Sequence, residues 1–466
     1  MQRGLVVISL VVALGILAAL SVLSRQTAQG TPSNLGAISV APAGAESSAF
    51  TCGGFSEGSS SGVRGEILLS NATLTAVPVK ITVFDDAGHD LHLASQAAAG
   101  TTTAVPISDQ LSGGTMVAAD VLVEGGGVAV SERTLGAGSS SAPCASATSR
   151  TWFLVGGTTP EFAALDYSLI NPSATPAVVN VSFSASGHLV QPQSSQGLVV
   201  PPGGVVVLQT NQILPHRQIL AATVTATQGS VVAYATQQIP LPSGVAMWLG
   251  SPTLSSTWYE ARAVATPQVQ SSLLIDNPTA TSQNVKIRVT VLTGTLPAFS
   301  VLVAAHSVVR VPMAPAAHVP VTDVFATTVT ASGPGVAVTQ QTVDPQSSTS
   351  TLGLVPLILP GATSAGRWLV PGSLESPAIG LSLFAPHAGV SVTLSTMTTK
   401  GLQTFASLTN VSVGAGKVLS LTPSQLAGLG RHPVIIQANG PLAIGEDLPG
   451  GAAPGTATLA AVPFRT

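Results

Sequence analysis

The densest set of side chains able to hold a metal ion is the stretch DDAGHDLH, which places Asp85, Asp86, His89, Asp90 and His92 within eight residues. Carboxylate oxygens and imidazole nitrogens would suit a divalent cation. The same residues also compose a hairpin turn, where Asp and Gly are expected and imidazoles stay solvated. Two later turns of the same kind, Ala185-Ser186-Gly187 and Leu292-Thr293-Gly294, carry no such set, which favours the turn. Gly58-Ser59-Ser60-Ser61-Gly62 is a literal G-x-S-x-G. A nucleophile elbow needs a strand before it and a helix after it. Here a Ser/Gly loop leads into a strand, so the match reads as chance. HExxH, P-loop and GxGxxG patterns are absent from the sequence. The expectation is therefore a protein without catalytic residues, metal or cofactor, and not an enzyme.

The chain has two cysteines, Cys52 and Cys144. They bracket the first of the repeats described below, and a bond between them would tie its start to its end. CxxC spacing, which a redox pair would show, is missing. Aromatic rings are scarce. Trp152, Trp258 and Trp368 recur at fixed offsets and read as core residues. Trp248, in VAMWLGSP, is off that register. It is the best single candidate for a ligand contact, with packing at a domain junction as the competing reading.

These residues sit in an unusual background. Only 8% of residues are charged, the formal net charge is -3, and 47 glycines and 34 prolines punctuate the chain. No basic stripe exists, so nucleic acid is not an expected partner. From Leu5 to Leu23 the chain runs 19 residues without a charge, flanked by Arg3 and Arg25. As a helix this run would span about 28 Å, close to the hydrocarbon thickness of a bilayer. The expected reading is a transmembrane signal-anchor over 1–25, giving a single-pass protein of the cell membrane with an extracytoplasmic C-terminal region. A signal peptide cleaved near Ala19-Leu20-Ser21, which would make the protein secreted, is the alternative.

After a Ser/Ala/Gly/Pro-rich segment (26–49) that reads as a flexible stalk, one pattern occurs four times. It is anchored at Asn71, Asn171, Asn277 and Ala385, spaced by 100, 106 and 108 residues. A period of that length means whole domains. Val79, Ile81 and Val83 lie eight, ten and twelve residues after Asn71. Val179, Val181 and Phe183 keep those offsets from Asn171, and Val285, Ile287 and Val289 keep them from Asn277. Lys80, Thr82, Asn180, Ser182, Lys286 and Arg288 fall between them. That period-two alternation predicts strands with one buried and one wet face. Trp152 and Trp258 precede their anchors by 19 residues and Trp368 by 17, and Cys52 takes the equivalent place in the first copy. The expected fold is all-β. It comprises four tandem antiparallel β-sandwich domains of Ig-like size, at 50–135, 150–243, 256–345 and 366–449, with a tail at 450–466.

Leu5–Leu23, Cys52, Ser141-Ala142-Pro143-Cys144, Trp152, Trp258 and Leu169-Ile170-Asn171-Pro172 together resemble an uncharacterised actinobacterial family of exported, membrane-anchored β-repeat proteins containing a domain of unknown function. The resemblance implies topology and no chemistry. The expected function is that of a non-enzymatic extracytoplasmic envelope protein, a scaffold or adhesion-type array held to the membrane by its N-terminal helix. The alternatives are an accessory protein that binds glycan or wall polymer for an envelope enzyme, and an enzyme with a site between domains.

Overall fold

The computed structural model describes residues 38–464 except 57–62, 137, 186, 241–242, 267–268, 314–318, 321, 344–351, 365, 372–379, 427–431 and 450–455. The apolar run 5–23 and the serines of 58–62 lie outside the described residues. Among the described residues no helix is long and apolar enough to cross a membrane. The chain is all-β, built of antiparallel sheets.

Eight sheets follow one another in a repeating order. Sheet A1 contains Ser48–Ser56, Met116–Val123, Val77–Asp85 and Asp90–Ala97, in that spatial order. Sheet B1 contains Thr102–Pro106, Arg64–Asn71, Val128–Gly136 and Gly138–Pro143. Sheets A2 and B2, A3 and B3, and A4 and B4 repeat these roles. The strand after each anchor residue lies in an A sheet, and the strand ending at the anchor lies in the following B sheet. The alternation decides which face is buried. Val79, Ile81, Val83, Val179, Val181, Phe183, Val285, Ile287 and Val289 are at most 1% exposed, whereas Lys80, Lys286 and Arg288 face solvent. Each A sheet shares a core with the B sheet of the same number. Val79 of A1 and Leu69 of B1 belong to one apolar cluster, and Ile287 of A3 and Ile275 of B3 to another.

The anchor asparagines are buried and work identically. Asn71 Nδ2 donates to the carbonyls of Thr75 and Ala97 at 2.8 Å, and its Oδ1 accepts from the Thr73 N–H. Asn171 does the same with Thr175, Val200 and Ser173, and Asn277 with Thr281, Val303 and Thr279. One side chain thus satisfies the backbone of a turn that would otherwise bury unpaired groups. In the fourth copy the turn is shorter, and Gly416 N–H donates to the backbone oxygen of Ala385 instead.

The segments expected as stalk, linkers and tail also carry structure. Gly138–Pro143, Ser243–Leu249, Leu352–Pro356 and Thr456–Ala460 are the edge strands of B1, B2, B3 and B4. Val40, within the expected stalk, is fully buried. Their Ser, Gly and Ala content reads as loop in isolation, but small residues also let strands approach closely. After each edge strand the chain returns to pair with the first strand of its own A sheet, at Thr51–Ala145, Phe153–Ser251, Tyr259–Ile358 and Leu369–Val462.

Candidate functional site

The sheet pairs pack on one another in a fixed way: the outer face of each B sheet lies against the first strand of the A sheet before it. Between B2 and A1 the Tyr234 hydroxyl lies 3.0 Å from the carbonyls of Thr51 and Pro143, to which it donates, and accepts from the Ala145 N–H at 3.1 Å. Thr236 Oγ1 donates to the Gly54 oxygen at 2.7 Å. Between B3 and A2, Leu274, Val308, Ala337 and Leu354 join the core that holds Phe153 and Leu154. Between B4 and A3, Phe384, Val418 and Ala443 cover Tyr259, Ala261 and Ala326, and Arg262 Nη1 donates to Ser382 Oγ at 2.9 Å. The fourth seam joins B1 to A4. There Val40, Ala72 and Ala129 pack with Leu369, Ile435, Val462 and Phe464. The succession therefore closes into a ring.

At the middle of the ring the B edge strands converge. Strands Gly138–Pro143 and Ser243–Leu249 touch, as do Ser243–Leu249 and Leu352–Pro356, Leu352–Pro356 and Thr456–Ala460, and Thr456–Ala460 and Gly138–Pro143. A mainly apolar cavity of about 90 Å³ lies at the C-terminal ends of the first three of these strands, with Ile38, Ala461 and Pro463 also in its wall. Ala142, Trp248 and Val355 line it from equivalent positions, set by their pairing with Glu132, Ala235 and Gln340. The off-register Trp248 thus lines a cavity to which residues from all four repeats contribute.

The other residues singled out in the sequence have local roles. The DDAGHDLH stretch is a hairpin turn. Asp85 Oδ1 accepts from the N–H groups of Ala87 and His89, and its Oδ2 pairs with His89 Nδ1 at 2.7 Å. Asp86 accepts from Thr115 and Met116 N–H, and those bonds hold its carboxyl below the ordinary value although burial opposes them. Asp90 and His92 are solvent-facing, and His92 Nδ1 bonds the Thr82 hydroxyl at 3.1 Å. The five residues are not gathered around one point. Among the described residues, the group close enough to share a metal is Cys52, Glu132 and Cys144. Its two sulfurs are joined in a disulfide with a Cα–Cα distance of 4.6 Å, so they offer no thiolate. Trp152, Trp258 and Trp368 fill cores, and their indole N–H groups donate to the carbonyls of Val231, Val336 and Ala362. Cys52 stands where the others have Trp, and its disulfide fills that space.

Several buried and half-buried acids escaped the sequence reading. Glu132 is fully buried beside the disulfide and accepts from the Gly53 N–H at 2.7 Å, and burial pushes its carboxyl well up. Its parity with Val128 and Val130 was the available signal. Asp276 is buried at the A2–B3 seam, where burial raises its carboxyl to about 7 against a smaller opposing effect from the Ser184 hydroxyl. At the A1–B2 seam Asp166 is raised to about 6 by burial and by the charge of Asp86. Asp120 is also raised to about 6 by burial, and its carboxylate accepts from Thr51 Oγ1. Asp120 borders an open groove of about 590 Å³ on sheet A1, together with Lys80, Thr82 and His92.

Residues 127–245 match a family of unknown function, DUF5719. The matched stretch runs from the third strand of B1 through A2 into B2, and so holds Cys144, Trp152 and Asn171. No curated protein matches the chain. Among solved structures, the crystal structure of Thermotoga maritima 1070 is similar at 13% identity and a TM-score of 0.20, covering 22% of this chain and 92% of that one. A tetra-tandem repeat from the extending region of a large adhesion protein is similar at 15% identity and a TM-score of 0.11, covering 85% of this chain and 98% of the repeat.

Proposed function

We propose that the chain is a non-enzymatic extracytoplasmic envelope protein, a scaffold or adhesion-type binding module. In this reading four β-sandwich domains close into a ring that residues 5–23 hold to the membrane. The observation that carries the reading is the fourth seam. A row of domains joined by linkers would move as separate bodies, whereas a seam from first to last makes one rigid platform with several outward faces. The buried Cys52–Cys144 disulfide is consistent with export, since such bonds persist outside the reducing cytosol. Reporter fusions placed after Arg25 test the location. They should be active only on the outer side of the membrane, and cytoplasmic activity would overturn the reading.

The groove on sheet A1 favours a second reading, recognition of a glycan or wall polymer. It offers a carboxylate, an amine, an imidazole and hydroxyls from Asp120, Lys80, His92 and Thr82. Crosslinking in the native envelope separates the two. The scaffold reading expects protein partners, and retention of purified wall glycan that is lost in Asp120→Asn would support the second reading. An enzyme with an inter-domain site would need two free facing carboxylates. Asp86 and Asp166 influence one another across the A1–B2 seam, but the oxygens of Asp86 are engaged by Thr115 and Met116.

A further inference from the structure

A fourfold arrangement cannot fill its own axis with four copies of one large side chain. Here the equivalents Ala142, Trp248 and Val355 fill it unevenly and leave the cavity of about 90 Å³. Apolar protein cavities of roughly this scale take up xenon or one small ring, whereas a stable buried water needs two to four polar partners. Trp248 is 1% exposed, and its indole N–H has no acceptor among the described residues. In this it differs from the three core tryptophans, whose N–H groups reach carbonyls at 2.7 Å (Trp152), 2.8 Å (Trp258) and 3.0 Å (Trp368). Buried donors in folded proteins almost always have a partner. The mostly apolar wall carries two polar groups without a partner, the Trp248 indole N–H and the Ser141 hydroxyl, and its complement is an apolar body bearing one acceptor.

We propose that the cavity at the ring's centre binds one small, largely apolar molecule carrying a single carbonyl or ether oxygen, which accepts from the Trp248 indole N–H. The site belongs to no single repeat, because its walls come from edge strands of successive B sheets. It goes beyond the scaffold reading and does not depend on where the protein resides.

Two probes of matched shape test this on the full chain with 15N-labelled tryptophan. Cyclopentanone carries the acceptor, and methylenecyclopentane replaces the oxygen by a methylene group. Both should give saturable shifts of the Trp248 indole signal, identified by its loss in Trp248→Phe. The ketone should bind about five- to tenfold more tightly, the range expected for one net hydrogen bond. Trp248→Phe should keep hydrocarbon binding, read by competition with xenon, and lose the preference for the ketone. Val355→Phe, which fills the cavity, should bind neither probe. The proposal is overturned if the wild type binds both probes equally, or if neither produces a saturable change. Should either variant fail to fold, the wild-type comparison of the two probes decides alone.

Discussion

The backbone N–H of Val40 donates to the carbonyl of Pro463 across 2.8 Å, joining residues 423 positions apart. Val40 also forms a parallel bridge with Phe464, whose ring lies 4.6 Å from the Arg367 guanidinium carbon. The two ends of the described chain thus zip together on sheet A4. This seam matters because exposed sheet faces and edges are sites of unwanted pairing, and closure covers them.

Two glycines separate closure from backbone strain. Gly88 and Gly100 have φ of +91° and +61°, so alanine is strained at either. A Cβ on Gly88 meets nothing within 4 Å, whereas one on Gly100 would lie 2.8 Å from the Met397 oxygen and 3.0 Å from Thr398 Cα, across the fourth seam. Gly88→Ala should cost about 1 kcal/mol and Gly100→Ala at least about 2 kcal/mol. Denaturant midpoints measure the difference, and equal losses would contradict the seam.

The disulfide and the tryptophans are alternative fillings of one space. Gly250 is the register equivalent of Cys144, and a Cβ there would come within 3.3 Å of the Trp152 ring. Gly250→Val should therefore cost about 1–3 kcal/mol by overpacking. Replacing both cysteines by alanine should cost about 4–5 kcal/mol, since the bond closes a separation of 92 residues. Thermal unfolding of the two variants checks both values.

Much of this was legible in the sequence because the signals are local. Val285, Ile287 and Val289 declare their buried face by alternation alone, and Asn71, Asn171 and Asn277 mark turns through bonds to residues a few positions away. The edge strand at Gly138–Pro143 was not legible. Its GSSSAP carries no hydrophobic contrast, and it is a strand because Glu132 and its neighbours pair with it. Closure was hidden for the same reason, since contacts such as Gly100 with Thr398 depend on the tertiary path. Trp248 was conspicuous as an outlier, but its place at the ring's centre follows only from the convergence of separate repeats.

Register is tested by adjacent substitutions. Ile287 is fully buried and Arg288 exposed. Ile287→Asp should cost about 3 kcal/mol or more by burying an unpaired charge, and Arg288→Asp less than about 1 kcal/mol. Urea unfolding of the two variants should show that contrast, and similar losses would argue against the strand assignment.

Asp276 should make the fold less stable toward neutral pH. Its carboxyl is raised to about 7 in the folded protein, while an unfolded chain has the ordinary value near 3.9. Between those values the folded state holds the extra proton, so stability falls as pH rises through that window and levels off above about 7, by at most about 1.4 kcal/mol per pH unit. Asp120 and Asp166, each raised to about 6, act in the same direction at lower pH. Asp276→Asn should flatten the decline between pH 5 and 7 and be more stable than the wild type at pH 8. Parallel pH profiles for the two proteins would show that Asp276 is not responsible.

Closure is tested most directly by the size of the molecule in solution. Small-angle X-ray scattering on residues 26–466 should give a radius of gyration of about 22 Å, the value for one compact body of this length. A row of four separate domains would give about twice that. A value near 22 Å, unchanged by salt, is what the ring predicts, and a value near that of the extended row would contradict it.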